Sequence, residues 1–220
     1  MLDSLRKPAL VVVDMQNDFV RKDAPMEVPS ARETIPLIRK LISAFRNAGK
    51  PVVFTRYVAD PLYRPLARKL DWIRLIDAPT HACVPGFMRA YGDIEGVRDA
   101  AEVIDELAPL GDEIVLDKIY FSAFHATDFA STLRQIEADS LVFVGTIAEM
   151  CVEDSARHAV HFGYPTIVVA DAVSSNHLPG RQAALDAFAR NYGWVMTTDQ
   201  VLSALGMERP ESRVPILSQG

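Results

Sequence analysis

Six short aliphatic runs, spaced so that a helical pattern fits between most of them, leave this chain few folds to choose from. They are "ALVVVD" (9–14), "PVVFTRY" (51–57), "EIVLDK" (113–118), "SLVFVG" (140–145), "PTIVVAD" (165–171) and "GWVMTT" (193–198). Most are continuously hydrophobic and rich in valine and isoleucine. That is the pattern of strands buried on both faces of a parallel sheet, not the in-out alternation of a half-exposed one. Helices are expected at about 30–49, 97–107, 126–137, 151–162, 180–191 and 199–205. In the first, Ser30 and Glu33 stand in capping-box spacing, and Leu37, Leu41, Ala44 and Phe45 form one stripe. The pattern stops at Gly49, while Pro36 leaves Thr34 as an alternative cap. Gly163 stands where the residue after the 151–162 helix belongs. Alternation of this kind predicts an α/β fold: a three-layer α/β/α sandwich around a mostly parallel, Rossmann-like six-stranded sheet.

The whole chain, 1–220, reads as a single domain. Residues 58–96 form a long irregular stretch, and a loop of that length in a compact domain is usually functional. It is expected to shape a substrate pocket. The closing 207–220 is expected to be a peripheral tail, docked on a neighbouring subunit. A net charge of −6, with no basic cluster denser than "RPLARK", argues against nucleic acid or an anionic membrane as partner. No apolar run is long enough to span a bilayer, and the N-terminal stretch does not read as a signal peptide. Two cysteines make no disulfide framework, so a reducing cytoplasm is the default and each thiol needs its own explanation.

Open parallel sheets bind ligands beyond the carboxyl ends of their strands. Asp14 closes the first strand, Lys118 the third, and Cys151 begins the helix after the fourth. An acid, a base and a thiol at one edge form a constellation, although none has a distinctive spacing alone. A free thiol is mostly protonated at neutral pH, and a helix N-terminus with a nearby ammonium would stabilise its anion. Asp14 could move the thiol proton, and the backbone N–H groups of Ile147 and Cys151 could face a tetrahedral oxyanion. Taken singly, each residue has a plainer reading: buried packing for Cys151, a loop brace for Asp14, a solvated charge for Lys118. Cys83, with nothing strand-terminal around it, reads as inert packing.

"VVVDMQNDF", "DKIYFSAFHATDF" and "VGTIAEMCVEDSARHA" resemble the three motif blocks of the isochorismatase-like hydrolase superfamily, the cysteine hydrolases. The resemblance runs from about residue 8 to 205. It implies a catalytic triad of Asp14, Lys118 and Cys151 and a cis, non-proline peptide at Thr146–Ile147. It also implies a homodimer or homotetramer acting on a small-molecule substrate. Ala148 and Glu149 replace a usual Thr-Asp, and Tyr120 stands where many members carry Arg. The nicotinamidase branch binds a divalent ion through histidines after its second strand. The equivalent "FTRYVADPLYRPL" has none, so no metal and no other cofactor is expected, and nicotinamidase activity is disfavoured.

Around the triad, Arg56 and Tyr57 at the end of the second strand are expected to grip the substrate, Arg56 by its bidentate fork. Phe19, Phe121 and His125 are expected to line the pocket, with Gln16 and Asn17 beside Asp14. His158 and His161 read as structural or subunit-facing, and Trp72 as core. The leading expectation is a metal-independent cysteine hydrolase that cleaves the C–N bond of a small amide, carbamoyl or ureido compound through a thioester. Its alternatives are vinyl-ether hydrolysis of isochorismate and a non-catalytic binding protein on the same fold. A nucleotide-binding oxidoreductase is disfavoured, because "DMQNDF" follows the first strand in place of a glycine-rich fingerprint.

Overall fold

The computed structural model describes residues 6–207; most of the expected tail, 208–220, lies outside them. Six parallel strands form the central sheet: β1 (Pro8–Val13), β2 (Val52–Tyr57), β5 (Ile114–Lys118), β6 (Ser140–Thr146), β7 (Thr166–Ser174) and β8 (Trp194–Met196). Their order is β5-β2-β1-β6-β7-β8. β1 is buried at every position and its side chains alternate between two cores. Leu10 and Val12 pack with Ile38, Leu41 and Phe45 of helix α2 (Ala31–Asn47) on one face. Ala9, Val11 and Val13 pack with Phe129 of α3 (Phe129–Gln135) and Ala156 of α4 (Glu153–His161) on the other. Helices α5 (Leu178–Asn191) and α6 (Thr198–Ala204) complete the two outer layers, and a short α1 (Asn17–Val20) follows β1. The three-layer sandwich is as expected. No described helix is long and apolar enough to cross a membrane.

The chain runs outward from β1 to β2 and β5, then returns to place β6 against the other side of β1. The order therefore reverses between β1 and β6, the switch point where open α/β sheets form their crevice. Gly145 makes the approach possible there. It has φ +111° and pairs with Val13, and a Cβ on it would stand 2.1 Å from the Val13 carbonyl oxygen. The β6–β7 register also shifts between Phe143 and Gly145.

Three local expectations fail. Residues 97–107 are not a helix: Val97–Asp99 is a strand, β4, antiparallel to β3 (Met88–Ala90). The remainder bonds to the segment after β1, with the Asn17 amide donating to the Glu102 carbonyl and the Ile104 amide to that of Met15. Ser30 caps α2 by position only, because its hydroxyl donates to the Ser175 carbonyl 3.0 Å away instead of closing the box with Glu33. Cys151 lies within one π-helical turn, Ala148–Val152, ahead of α4 and not in its first residue.

Candidate active site

Asp14 follows β1 with φ +47°, a left-handed conformation that non-glycine residues adopt rarely, Asp and Asn excepted. The conformation turns its carboxylate to the sheet's carboxyl edge. Thr55, on the neighbouring strand, fixes it there: the Thr55 hydroxyl donates to Asp14 Oδ1 at 2.6 Å. Lys118 ends β5, two strands away, and its four-carbon stem spans the intervening β2. Its Nζ lies 2.7 Å from Asp14 Oδ2. The same ammonium donates to Cys151 Sγ at 3.3 Å and to the Tyr120 carbonyl at 2.8 Å. Asp14 and Lys118 are wholly buried and Cys151 is 6% exposed. The three strand-end residues singled out in the sequence thus meet around one nitrogen. The peptide Thr146–Ile147 is cis, and the Met150 and Val152 amides close on the Ile147 carbonyl.

Burial pushes the Cys151 thiol well above its ordinary value; the Lys118 ammonium pulls it down and the Asp14 carboxylate pushes it up again. Burial also works against the charge on Lys118, but Asp14 and Cys151 outweigh it and hold the ammonium above its usual range. Lys118 thus stands in contact with both the Asp14 side chain and the Cys151 sulfur. The expected stabilisation of a thiolate by the nearby ammonium is opposed by burial, which disfavours the charged form of the thiol.

Cys151 opens on a cavity of about 240 Å³. Phe19, Tyr57, Phe121 and Ile147 line it. Trp72, read as core, is a wall residue, and with Leu75 it comes from the 58–96 stretch. That stretch is partly ordered as 3₁₀ turns at Pro61–Arg68 and Asp71–Ile76. Residues three apart eclipse in such a turn, which brings Trp72 and Leu75 to one side. Met26 and Met150, which no sequence pattern marked, complete the apolar lining.

Arg56, Gln16 and His125 do not line the cavity. Consecutive strand residues face opposite ways, so with Tyr57 turned inward Arg56 points out. It grips Asp117 on β5 with both ends of its fork, at 2.7 and 3.0 Å, and pairs with Glu102. Gln16 is spent on backbone: it accepts from the Tyr57 amide at 2.7 Å and donates to the Tyr57 and Ala101 carbonyls. It positions Tyr57 rather than substrate. His125 bonds the Tyr63 hydroxyl through Nε2 at 2.9 Å. His158 bonds Ser122, and Cys83 is fully buried. Asp18 is also fully buried, a role the sequence did not mark: it accepts from Arg89, Tyr91 and the Cys83 amide, tying 80–91 to α1. Among the described residues, no three His, Cys, Asp or Glu side chains converge to hold a metal ion.

A parallel α/β sheet with a thiol, a carboxylate and an ammonium gathered at its switch point is the architecture expected of the isochorismatase-like hydrolases. Residues 8–200 match the isochorismatase domain, and the chain belongs to that family. It is 34% identical over 207 residues to the ureidoacrylate amidohydrolase RutB of Pseudomonas syringae pv. syringae, covering 87% of this chain and 80% of that protein. It is 30% identical over 200 residues to the maleamate amidohydrolase of Pseudomonas putida, covering 91% and 87%. Its fold is similar to the crystal structure of N-carbamoylsarcosine amidase from Thermoplasma acidophilum, with a TM-score of 0.71 and 34% identity over 88% of this chain and 98% of that one.

Proposed function

We propose that the protein is a cysteine amidohydrolase, a single catalytic domain that splits the C–N bond of a small amide, carbamoyl or ureido compound. The reading rests on one observation above the rest: Lys118 Nζ bridges Asp14 Oδ2 and Cys151 Sγ, and Cys151 lines a cavity open to a small molecule. The names of the relatives, ureidoacrylate amidohydrolase, maleamate amidohydrolase and N-carbamoylsarcosine amidase, support the reaction class.

Asp14 takes the thiol proton as Cys151 Sγ attacks the substrate carbonyl. The Ile147 and Cys151 backbone N–H groups face the oxyanion that forms. Asp14 then returns the proton to the departing nitrogen, the C–N bond breaks, and ammonia or an amine leaves a thioester on Cys151. Water adds to the thioester with its proton going to Asp14, and collapse releases the acid and restores the thiol. Lys118, in contact with both side chains, holds Asp14 and Cys151 in place between these transfers. No step calls on a metal or other cofactor. The same reading takes the protein to act in the cytoplasm as a homodimer or homotetramer.

Hydroxylamine intercepts thioesters as hydroxamates. Wild-type protein turning over an amide in hydroxylamine should yield the hydroxamate at the expense of free acid, and Cys151→Ala should yield neither. Hydroxamate from the variant at the wild-type rate would remove Cys151 from the mechanism.

A further inference from the structure

We infer that the cavity takes an uncharged amide with a flat or branched apolar substituent, and that it rejects amides carrying a carboxylate. The inference rests on the amidohydrolase reading and narrows its substrate class.

The charges in and beside the cavity are balanced without a ligand. Lys118 is matched by Asp14 at 2.7 Å. Glu27, which lines the cavity, is matched by Arg32 at 2.7 Å, and its second oxygen accepts from the Asp23 amide at 2.9 Å. Burial works against the Glu27 charge, but the Arg32 and Asp23 contacts outweigh it and hold the carboxyl below its usual range. Among the described residues no lysine or arginine lines the cavity, and the buried Lys118 is engaged by Asp14, Cys151 and the Tyr120 carbonyl. An anion placed there would have no counter-charge, and a buried unpaired charge is strongly disfavoured.

The walls fit an apolar substituent. The Tyr57 ring packs edge-on to Trp72 with centroids 6.1 Å apart, and Trp72 lies 5.9 Å from Phe121. Tyr120, behind this wall, stacks on Tyr63 and Phe121, each with centroids 4.2 Å away. The polar demand that is left unmet is neutral. Thr146 lines the cavity, is 1% exposed, and its hydroxyl has no partner among the described residues. Buried hydroxyls are almost always bonded, and an amide head supplies both a donor and an acceptor for it.

The test uses two amides of nearly equal shape, maleamate and (Z)-4-methylpent-2-enamide, in which an isopropyl group replaces the carboxylate. Binding to the full chain carrying Cys151→Ala is measured by titration calorimetry, so turnover plays no part. The neutral amide should bind at least tenfold more tightly, and adding Leu75→Arg should shift the ratio at least tenfold toward maleamate. Equal binding of the two, including no binding of either, or tighter binding of maleamate would overturn the inference. The amidohydrolase reading would survive that result if wild-type protein releases ammonia from maleamate. A tenfold preference with no ammonia from either would instead sustain the pocket chemistry and remove the reaction.

Discussion

The Lys118 ammonium stands 2.7 Å from Asp14 Oδ2, with both side chains wholly shielded from solvent. Breaking such a pair leaves an uncompensated buried charge, at a cost of about 3–5 kcal/mol. Lys118→Met should therefore lower unfolding free energy by about that amount in urea and abolish activity. The double variant Lys118→Met/Asp14→Asn, which removes both charges, should recover most of the stability and none of the activity. A double variant as unstable as the single one would mean that the ion pair is not what the lysine maintains.

The thiol supplies a second prediction. Burial and Asp14 hold the Cys151 proton on in the folded protein, and burial does the same for Cys83. In the unfolded chain both would ionise near pH 8.5. With folded values raised, the stabilisation is complete below that pH and is lost as pH rises above it, because the unfolded state then binds fewer protons. Each thiol contributes a slope of about 1.4 kcal/mol per pH unit. Chemical denaturation between pH 8 and 10 should show falling stability, and Cys151→Ser should remove about half of the thiol slope. An unchanged slope would mean that Cys151 is already a thiolate in the fold.

Pocket and brace residues should separate in kinetics. Trp72 lines the cavity, so Trp72→Ala should raise KM at least tenfold. Arg56 is consumed by Asp117 and Glu102 on the other side of its strand, so Arg56→Ala should leave kcat/KM within about threefold. A large KM effect at Arg56 would place the substrate outside the cavity described.

Gly145 is the narrowest point of the switch. An added Cβ would meet the Val13 carbonyl oxygen at 2.1 Å, on a backbone that side chains rarely adopt. Gly145→Ala should destabilise the fold by about 3 kcal/mol or more, read by thermal or urea unfolding. A near-wild-type midpoint would contradict the close β1–β6 approach.

The sheet was legible because its central strands β1, β2, β6 and β7 are largely buried on both faces, which writes them as apolar, valine-rich runs. Asp14, Lys118 and Cys151 were legible because strand ends fix direction as well as position. Where partners come from far along the chain, local pattern failed. The helical look of 97–107 comes from apolar residues whose backbone pairs elsewhere: the Ala100 amide donates to the Phe87 carbonyl, the Ile104 amide to that of Met15, and the Glu102 carbonyl accepts from the Asn17 amide. Ser30 had a suitable Glu33 three residues on, yet bonds Ser175. Arg56 was grouped with Tyr57 despite the two-residue period of a strand, which sends the pair to opposite faces. Trp72 and Leu75 share a side only once a 3₁₀ turn forms, and no strong signal in 58–96 announced one.

The central claim, that the Cys151 sulfur carries an amide hydrolysis, is tested most directly by ammonia release. Wild-type protein and Cys151→Ala are assayed side by side over small amides, carbamates and ureido compounds, with isochorismate cleavage followed in parallel. The account predicts ammonia from at least one neutral amide with wild type and a loss of about a thousandfold or more in the variant. Ammonia release at equal rates in both proteins, or cleavage of isochorismate alone that persists in Cys151→Ala, would contradict it.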